Sequence, residues 1–167
     1  MKVLVAFYSE SGNTEKLAKA IFEAIEASKK KKIMPIQEVT GVEGYDVIFI
    51  GFPVHSHSVP NKVEAFAKKL PEGQKVAYFA THGSMRGGEL AVTAFYHALH
   101  MVKNIVVLGT FGCRGQVKQK IIDGLMDKIE HRGWVQEAQS AAGHPDKNDL
   151  ADGRKWAERM ITKARTR

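Results

Sequence analysis

The chain has 167 residues, of which 44% are hydrophobic and 26% are charged. This length and composition suit one domain with a well-buried core. No apolar run is as long as a membrane span, and the apolar stretch after Lys2 is too short for a signal peptide. A single cysteine excludes an internal disulfide and fits a reducing compartment, so we expect a cytoplasmic protein.

The net charge of +7 and a pI of about 9.5 make nucleic acid a partner to be considered. Much of the positive charge lies in two stretches, the four lysines at 29–32 and the C-terminal residues 154–167. Neither stretch is interleaved with exposed aromatic residues, and neither matches a nucleic-acid-binding module. We therefore interpret both as solvated helix ends and expect no nucleic-acid partner. The same charge could steer an acidic redox partner or an anionic substrate.

Taken in chain order, apolar runs that predict buried strands alternate with patterns that predict helices. The predicted strands are 3–7, 33–39, 46–51, 76–80 and 105–109. The predicted helices are one that ends in the lysine run, then 60–70, 89–101, 117–131 and 150–164. A short turn or one helical turn is expected at 41–45, and a polar linker at 133–146. This alternation predicts a parallel sheet with helices on both faces, in a single domain over 1–167.

Residues 7–15, with the sequence FYSESGNTE, join the first predicted strand to an amphipathic helix. Three hydroxyl side chains, a glycine and an asparagine suit a loop that wraps a phosphate group. Backbone N–H groups would point at the anion, and the helix dipole would favour its charge. The alternative is an ordinary joint in which Asn13 or Ser11 caps the helix. Neither GxxxxGK[ST] nor GxGxxG is present.

The motif Ser9-x-Ser11-Gly12-Asn13-Thr14 after an N-terminal hydrophobic strand resembles the FMN phosphate loop of the flavodoxin family. The resemblance covers about the first 115 residues. It extends to the loop with Gly51-Phe52-Pro53 and Pro60, and by position to the loop at 81–88. It implies a flavodoxin-like α/β fold, a five-stranded parallel sheet of order 2-1-3-4-5 between helices. It also implies one FMN at the carboxyl ends of strands one, three and four.

By this resemblance, the first loop would hold the phosphate, and the isoalloxazine ring would lie between the second and third loops. The cofactor-binding residues that it implies are Ser9, Glu10, Ser11, Gly12, Asn13, Thr14, Pro53, Val54, His55, Ser56, His57, Ser58, Thr81, His82, Gly83, Ser84, Met85, Arg86 and Gly87. No side chain is expected to be catalytic, because the flavin carries the electrons.

Two features depart from the family's electron carriers. Those proteins commonly sandwich the ring between aromatic side chains, whereas the ring-facing positions here are Phe52, Val54, His55, His57 and Met85, which predicts weaker ring affinity. Those proteins are also typically acidic, whereas this chain is basic.

Because the chain is basic, we expect Arg86, in the third loop, to lie close to the flavin ring and to affect its potential. An arginine ~6 Å from a flavin anion at an effective dielectric of ~20 would contribute ~3 kcal/mol. For a one-electron step this raises the potential by on the order of 100 mV. We therefore expect a less reducing flavin than in a low-potential carrier.

Other chemistry is less well supported by the residues. His55, His57 and His82 suit zinc by type, but no carboxylate or cysteine completes a site in the same loops, so we expect no metal. Cys113 beside Arg114 is interpreted as a small residue in a tight loop and not as a redox thiol. The tryptophans at 134 and 156 are interpreted as packing residues. No GxSxG nucleophile motif is present.

The leading functional prediction is an FMN-binding redox protein that transfers electrons to or from a partner protein. The alternative is an FMN-dependent NAD(P)H reductase of quinones or similar small acceptors. A third hypothesis is a flavin-free binding or regulatory module, because the same fold hosts many functions. The identity of the partner and the oligomeric state are left open by the sequence.

Overall fold

The computed structural model describes residues 1–26 and 30–166. Five strands form one all-parallel sheet in the order β2-β1-β3-β4-β5, which confirms the predicted fold. The strands are β1 (Lys2–Phe7), β2 (Lys30–Pro35), β3 (Val47–Pro53), β4 (Lys75–His82) and β5 (Val106–Arg114). The α-helices are α1 (Asn13–Ala24), α2 (Asn61–Ala67), α3 (Glu89–His100), α4 (Gln119–Met126), α5 (Arg132–Ser140) and α6 (Lys147–Thr166).

The core lies on both faces of the sheet, because alternate side chains of each buried strand point to opposite sides. Val3 and Val5 of β1 pack with α1 and α6, whereas Leu4 and Ala6 pack with α2 and α3. Trp156 of α6 is a packing residue, as predicted. Its ring stacks on Phe111 and meets Phe49 edge-on, with ring centroids 5.6 Å apart in both pairs.

Our prediction of the second strand at 33–39 was wrong. It spans Lys30–Pro35 and is followed by a 3₁₀ turn over Ile36–Glu38. Its register pairs Lys30 with Lys2 and Pro35 with Phe7. A lysine-rich segment is accommodated because β2 is an edge strand. The first helix therefore ends at Ala24, before the lysine run.

The interpretation of lysines 29–32 as a helix end is also wrong for the three of them that the structure describes. Three of these lysines belong to β2, and Lys29 lies outside the described residues. The Lys31 ammonium donates to the carbonyl oxygens of Phe22 and Ile25, at 2.9 and 2.6 Å. It thus caps the carboxyl end of α1 from the neighbouring strand, as a cation at this end of a helix dipole should.

Three strands are longer at their carboxyl ends than predicted. β3 includes Phe52 and Pro53, β4 includes Thr81 and His82, and β5 continues to Arg114. The extension follows from pairing, because Pro53 is in register with Thr81, and Thr81 with Cys113. Cys113 therefore lies in a strand, not in the tight loop that we predicted.

The segment after β5 also differs from prediction. Two shorter helices, α4 and α5, and a 3₁₀ turn at Ile129–His131 replace the helix 117–131 and the linker 133–146. Val135 and Ala138 of α5 are buried against Ile122 of α4, and Trp134 packs beside them. α6 starts at Lys147, three residues earlier than predicted. α2 is shorter than the predicted helix 60–70: Pro60 is its N-cap, and Ala67 is its last residue. Within the described residues, no helix has the length and apolarity to cross a membrane.

Candidate functional site

Three loops meet at the carboxyl edge of the sheet, where β1, β3 and β4 are neighbours. The chain leaves β1 toward β2 on one side and returns to β3 on the other, so this edge contains the switch point at which such sheets bind ligands. The Tyr8 N–H donates to the Gly51 carbonyl, at 2.9 Å, and the Val54 N–H donates to the Thr81 carbonyl, at 2.9 Å. These bonds hold the starts of the loops in fixed relation.

The first loop presents an uncapped helix end. Gly12 is the N-cap of α1 with φ of 89°, a left-handed conformation that favours glycine. Neither Ser11 nor Asn13 caps the helix, and the Asn13 side chain instead donates to the Gln116 carbonyl at 2.9 Å. Among the described residues, the N–H groups of Asn13, Thr14 and Glu15 have no acceptor. Free N–H donors beside the exposed hydroxyl of Ser11 fit a phosphate group.

A buried pair of hydroxyls connects the first loop to the third. Thr14 Oγ1 lies 2.8 Å from Thr81 Oγ1, and both residues are almost fully buried. One hydroxyl must donate to the other, so a single O–H hydrogen of the pair is left for another acceptor. The contact fixes the first turn of α1 against the end of β4, which is where the two predicted cofactor loops must meet.

The second loop is a tight turn with unusual backbone angles. His55 and Ser58 exchange two backbone hydrogen bonds, at 3.1 and 2.8 Å. Between them, Ser56 and His57 have φ of 46° and 66°. Such left-handed conformations cost side-chain-bearing residues about 1–2 kcal/mol each, so surrounding contacts must hold the turn. Strain of this kind is concentrated at functional sites.

His97 of α3 supplies one of those contacts. Its Nδ1 atom lies 2.7 Å from Ser58 Oγ and accepts the Val59 N–H at 3.3 Å. Its Nε2 atom lies 3.5 Å from a carboxylate oxygen of Glu64 in α2. The second loop is therefore anchored to both helices beneath it.

Glu10 bridges the first and second loops. It accepts the Tyr8 hydroxyl at 2.5 Å and lies 3.5 Å from His55 Nε2. The hydrogen bond to Glu10 raises the pKa of Tyr8 above its ordinary value. A cavity of about 330 Å³ opens beside Tyr8 and His55, and Ser58 and Lys62 also line its wall.

The third loop is held from below by buried groups. His82 Nδ1 lies 3.0 Å from the Ser84 carbonyl, and both residues are buried. Burial lowers the pKa of His82, which favours the neutral ring. A Cβ on Gly83 would come within 2.4 Å of Val117, so glycine is needed here. Of the loop's large side chains, Met85 is exposed and available to a ligand or partner.

Arg86 extends from this loop toward α6. Its guanidinium contacts Asp152 at 2.9 Å, donates to the Gly112 carbonyl at 3.2 Å and lies over the Phe111 ring. A carboxylate thus compensates its charge, which weakens the expected effect of Arg86 on a flavin anion.

The position of Phe52 differs from the ring-facing position that we expected. It is fully buried against Phe95 and cannot stack on a ring.

The three histidines that we considered as an alternative zinc site, His55, His57 and His82, do not form a cluster among the described residues. The one group there with metal-like spacing is His144, Asp146 and Asp149, at the start of α6. Its carboxylates already accept hydrogen bonds: Asp149 from the Asp146 N–H and Asp146 from the Asp149 N–H, both at 2.9 Å. This reciprocal pattern is that of a helix cap.

Cys113 is fully buried in β5, and burial raises the pKa of its thiol. A thiol that resists ionisation is a poor nucleophile and a poor redox sensor. The structure therefore agrees with a packing role for Cys113, although in a strand.

Sequence reasoning missed the part that α5 plays in the site. Glu137 of α5 accepts the Met85 N–H at 3.1 Å. Arg114 donates to the carbonyl oxygens of Glu137 and Ser140, at 2.6 and 3.2 Å. α5 is thereby tied both to the third loop and to the end of β5. The helical spacing of the apolar residues Trp134, Val135 and Ala138 could have indicated this helix, but we predicted a polar linker at 133–146.

A profile of the family described as "Flavodoxin domain" matches residues 4–158. The chain belongs to the flavodoxin family. This confirms the resemblance that the phosphate-loop motif indicated. A curated relative, the "Flavodoxin-like domain-containing protein BilS" of Clostridioides difficile (strain CD3), is 27% identical over 176 aligned residues, which cover 98% of each chain.

Solved structures of flavodoxins share the fold. A flavodoxin from the domain Archaea superposes with a TM-score of 0.62 at 16% identity, over 99% of each chain. A short-chain flavodoxin associated with a bacterial microcompartment gives 0.67 at 12%, over 98% of this chain and 99% of its own. A flavoprotein from Lactobacillus acidophilus NCFM, solved in complex with FMN, gives 0.55 at 20%, over 77% of this chain and 98% of its own.

Proposed function

We propose that this flavodoxin-family chain binds one FMN without a covalent bond and transfers electrons between that flavin and a partner protein. The observation that carries the proposal is the convergence of three loops on one edge of the sheet. The first loop ends in an uncapped helix with free N–H groups, and the Thr14–Thr81 contact fixes it against the third. A relative of the same fold was solved with FMN, which supports the choice of flavin.

In this proposal the hydroxyls of Ser9, Ser11 and Thr14 and the first N–H groups of α1 hold the phosphate. The turn at His55–Ser58 and the loop with Met85 border the ring. FMN supplies the electron-accepting chemistry, and the side chains supply position and electrostatics. The exposed Met85 and the exposed tip of the second loop leave the site open toward a partner.

Charge favours an acidic partner. The chain carries a net charge of +7, and Lys62 lies beside the second loop, 5.5 Å from the Tyr8 ring centre. Opposite charges on two proteins speed their encounter, and salt screens this effect. An acidic electron donor such as a ferredoxin would therefore meet the site at a rate that falls as ionic strength rises.

A second candidate is an NAD(P)H-dependent reductase of quinones or similar small acceptors. The cavity of about 330 Å³ beside Tyr8 and His55 favours it, since a small acceptor could occupy this space next to the ring loop. Without an aromatic side chain stacked above, one face of the ring would also be accessible to such a molecule.

Stopped-flow spectroscopy under anaerobic conditions separates the two candidates. We expect the FMN-loaded protein to exchange electrons with a reduced ferredoxin and to oxidise NADH or NADPH in the presence of a quinone no faster than free FMN does. The ferredoxin rate should fall at least tenfold between about 20 mM and about 500 mM salt. Lys62→Glu should slow this reaction, and Lys120→Glu, on exposed α4, serves as the matched control.

Rapid NAD(P)H oxidation coupled to quinone reduction, with no exchange with ferredoxin, would contradict the carrier proposal and establish the reductase. A ferredoxin rate that does not change with salt would contradict the acidic partner.

A further inference from the structure

The outer face of α3 is unusually apolar for an exposed surface. Val92, Tyr96 and Leu99 are 56%, 66% and 41% exposed. The helix is covered on its inner side, where Ala91, Ala94 and Ala98 are buried. The three large side chains therefore face outward because the other side of α3 is already occupied by the sheet.

These residues form a continuous seam along the helix. Glu89, Val92, Tyr96, Leu99 and Lys103 are all exposed and follow one another at intervals of three and four residues. That spacing is the one by which two helices pack along a shared stripe. Thr93 and His100 flank the seam and are also exposed. Between Glu89 and Lys103, the exposed positions of α3 therefore carry no acidic or permanently basic side chain.

The ends of the seam carry opposite charges. Glu89 begins α3, whereas His100 ends it and Lys103 lies just beyond. Among the described residues, neither Glu89 nor Lys103 has an ion-pair partner, and the His100 ring packs on Tyr96 at 4.2 Å between ring centroids. A seam with an acidic end, an apolar middle and a basic end is complementary to an antiparallel copy of itself. A parallel copy would bring like charges together.

We propose that this seam is the centre of a symmetric homodimer interface. The occupant is a second copy of this chain, related by a two-fold axis that passes near Tyr96. Two-fold symmetry requires one surface patch to complement itself, and the charge order of the seam meets this requirement. Each Glu89 then faces His100 and Lys103 of the other copy, and the apolar side chains of both helices bury one another.

The seam includes none of the residues to which we assign cofactor binding. His97, which anchors the second loop through Ser58, points inward from α3 and not into the seam. The proposal thus does not depend on flavin binding, and its test is independent of the redox assays.

Sedimentation velocity of the purified full chain, from about 1 µM to about 200 µM, tests the proposal. We expect a reversible monomer–dimer equilibrium. Tyr96→Glu should weaken dimerisation at least tenfold, because it places a charge in the apolar middle. Ile129→Glu is the matched control, since Ile129 is 75% exposed but lies outside the seam, and it should leave the equilibrium unchanged. Circular dichroism and thermal melting verify that each variant is folded.

A charge exchange tests the antiparallel order. Glu89→Lys alone should weaken the dimer, and the double variant Glu89→Lys with Lys103→Glu should restore most of the lost affinity. A chain that stays monomeric throughout the range would overturn the proposal, as would a dimer that is insensitive to Tyr96→Glu. Failure of the double variant to recover would exclude the antiparallel arrangement.

Discussion

Replacing Ser11 by aspartate should weaken FMN binding by at least a hundredfold and leave riboflavin binding nearly unchanged. Ser11 is exposed in the loop that precedes the uncapped end of α1. A carboxylate ~5 Å from a phosphate with about 1.5 to 2 negative charges costs on the order of 3 kcal/mol after solvent screening. Titration of the variant with FMN, followed by flavin fluorescence, measures the loss.

Ser11→Asn is the matched control, because asparagine has the shape of aspartate without its charge. We expect it to lose about 1 kcal/mol at most, the value of one hydrogen bond. Equal losses in both variants would mean that the effect is steric. An aspartate variant that binds FMN as tightly as the native chain would place the phosphate elsewhere.

Replacing Gly51 by alanine should lower the free energy of unfolding by about 3 kcal/mol, the upper part of the usual range for an overfilled core. A Cβ at this position would come within 2.2 Å of two ring carbons of Phe79. Phe79 is fully buried in the core that the sheet forms with α1 and α6, so its ring cannot move out into solvent. Gly51 also accepts the Tyr8 N–H, so any backbone shift reaches the first loop. Urea unfolding monitored by tryptophan fluorescence gives the free energy.

Gly124→Ala is the control for the same chemical change. Gly124 is exposed within α4, and a Cβ there would meet no atom within 4 Å. Alanine should stabilise this helix by up to about 1 kcal/mol, because glycine is the poorer helix former. Equal stability of the Gly51→Ala variant and the native chain would show that β3 and β4 can separate more easily than their packing indicates.

The fold could be predicted largely because the three central strands, β1, β3 and β4, are buried on both faces and therefore form apolar runs. β2 could not be placed in this way. It is an edge strand whose first half is lysine, and lysines in sequence resemble a solvated helix end. The ends of β4 and β5 were missed because Thr81, His82 and Cys113 join the sheet by pairing with their neighbours, not by local propensity.

The positions of the three loops followed from the sequence, but their internal contacts did not. The loops come directly after strands, and parallel strands end at one edge of the sheet. By contrast, the Thr14–Thr81 pair joins residues 67 positions apart, and the Arg86–Asp152 pair joins residues 66 apart. Contacts over such distances depend on how the layers pack. α5 was missed for a similar reason, since its apolar residues are buried by contact with Val117 and with Ile122 of α4.

The central claim, that the first loop binds the phosphate of FMN, is tested most directly by parallel titrations of the purified protein with FMN and riboflavin. The two ligands share the ring and differ in the phosphate. We expect one FMN per chain, bound at least about a hundredfold more tightly than riboflavin, because charge-assisted hydrogen bonds contribute about 1.5–3 kcal/mol each. Equal affinities for the two ligands, or no saturable binding of FMN, would contradict the proposed site and favour a flavin-free binding module.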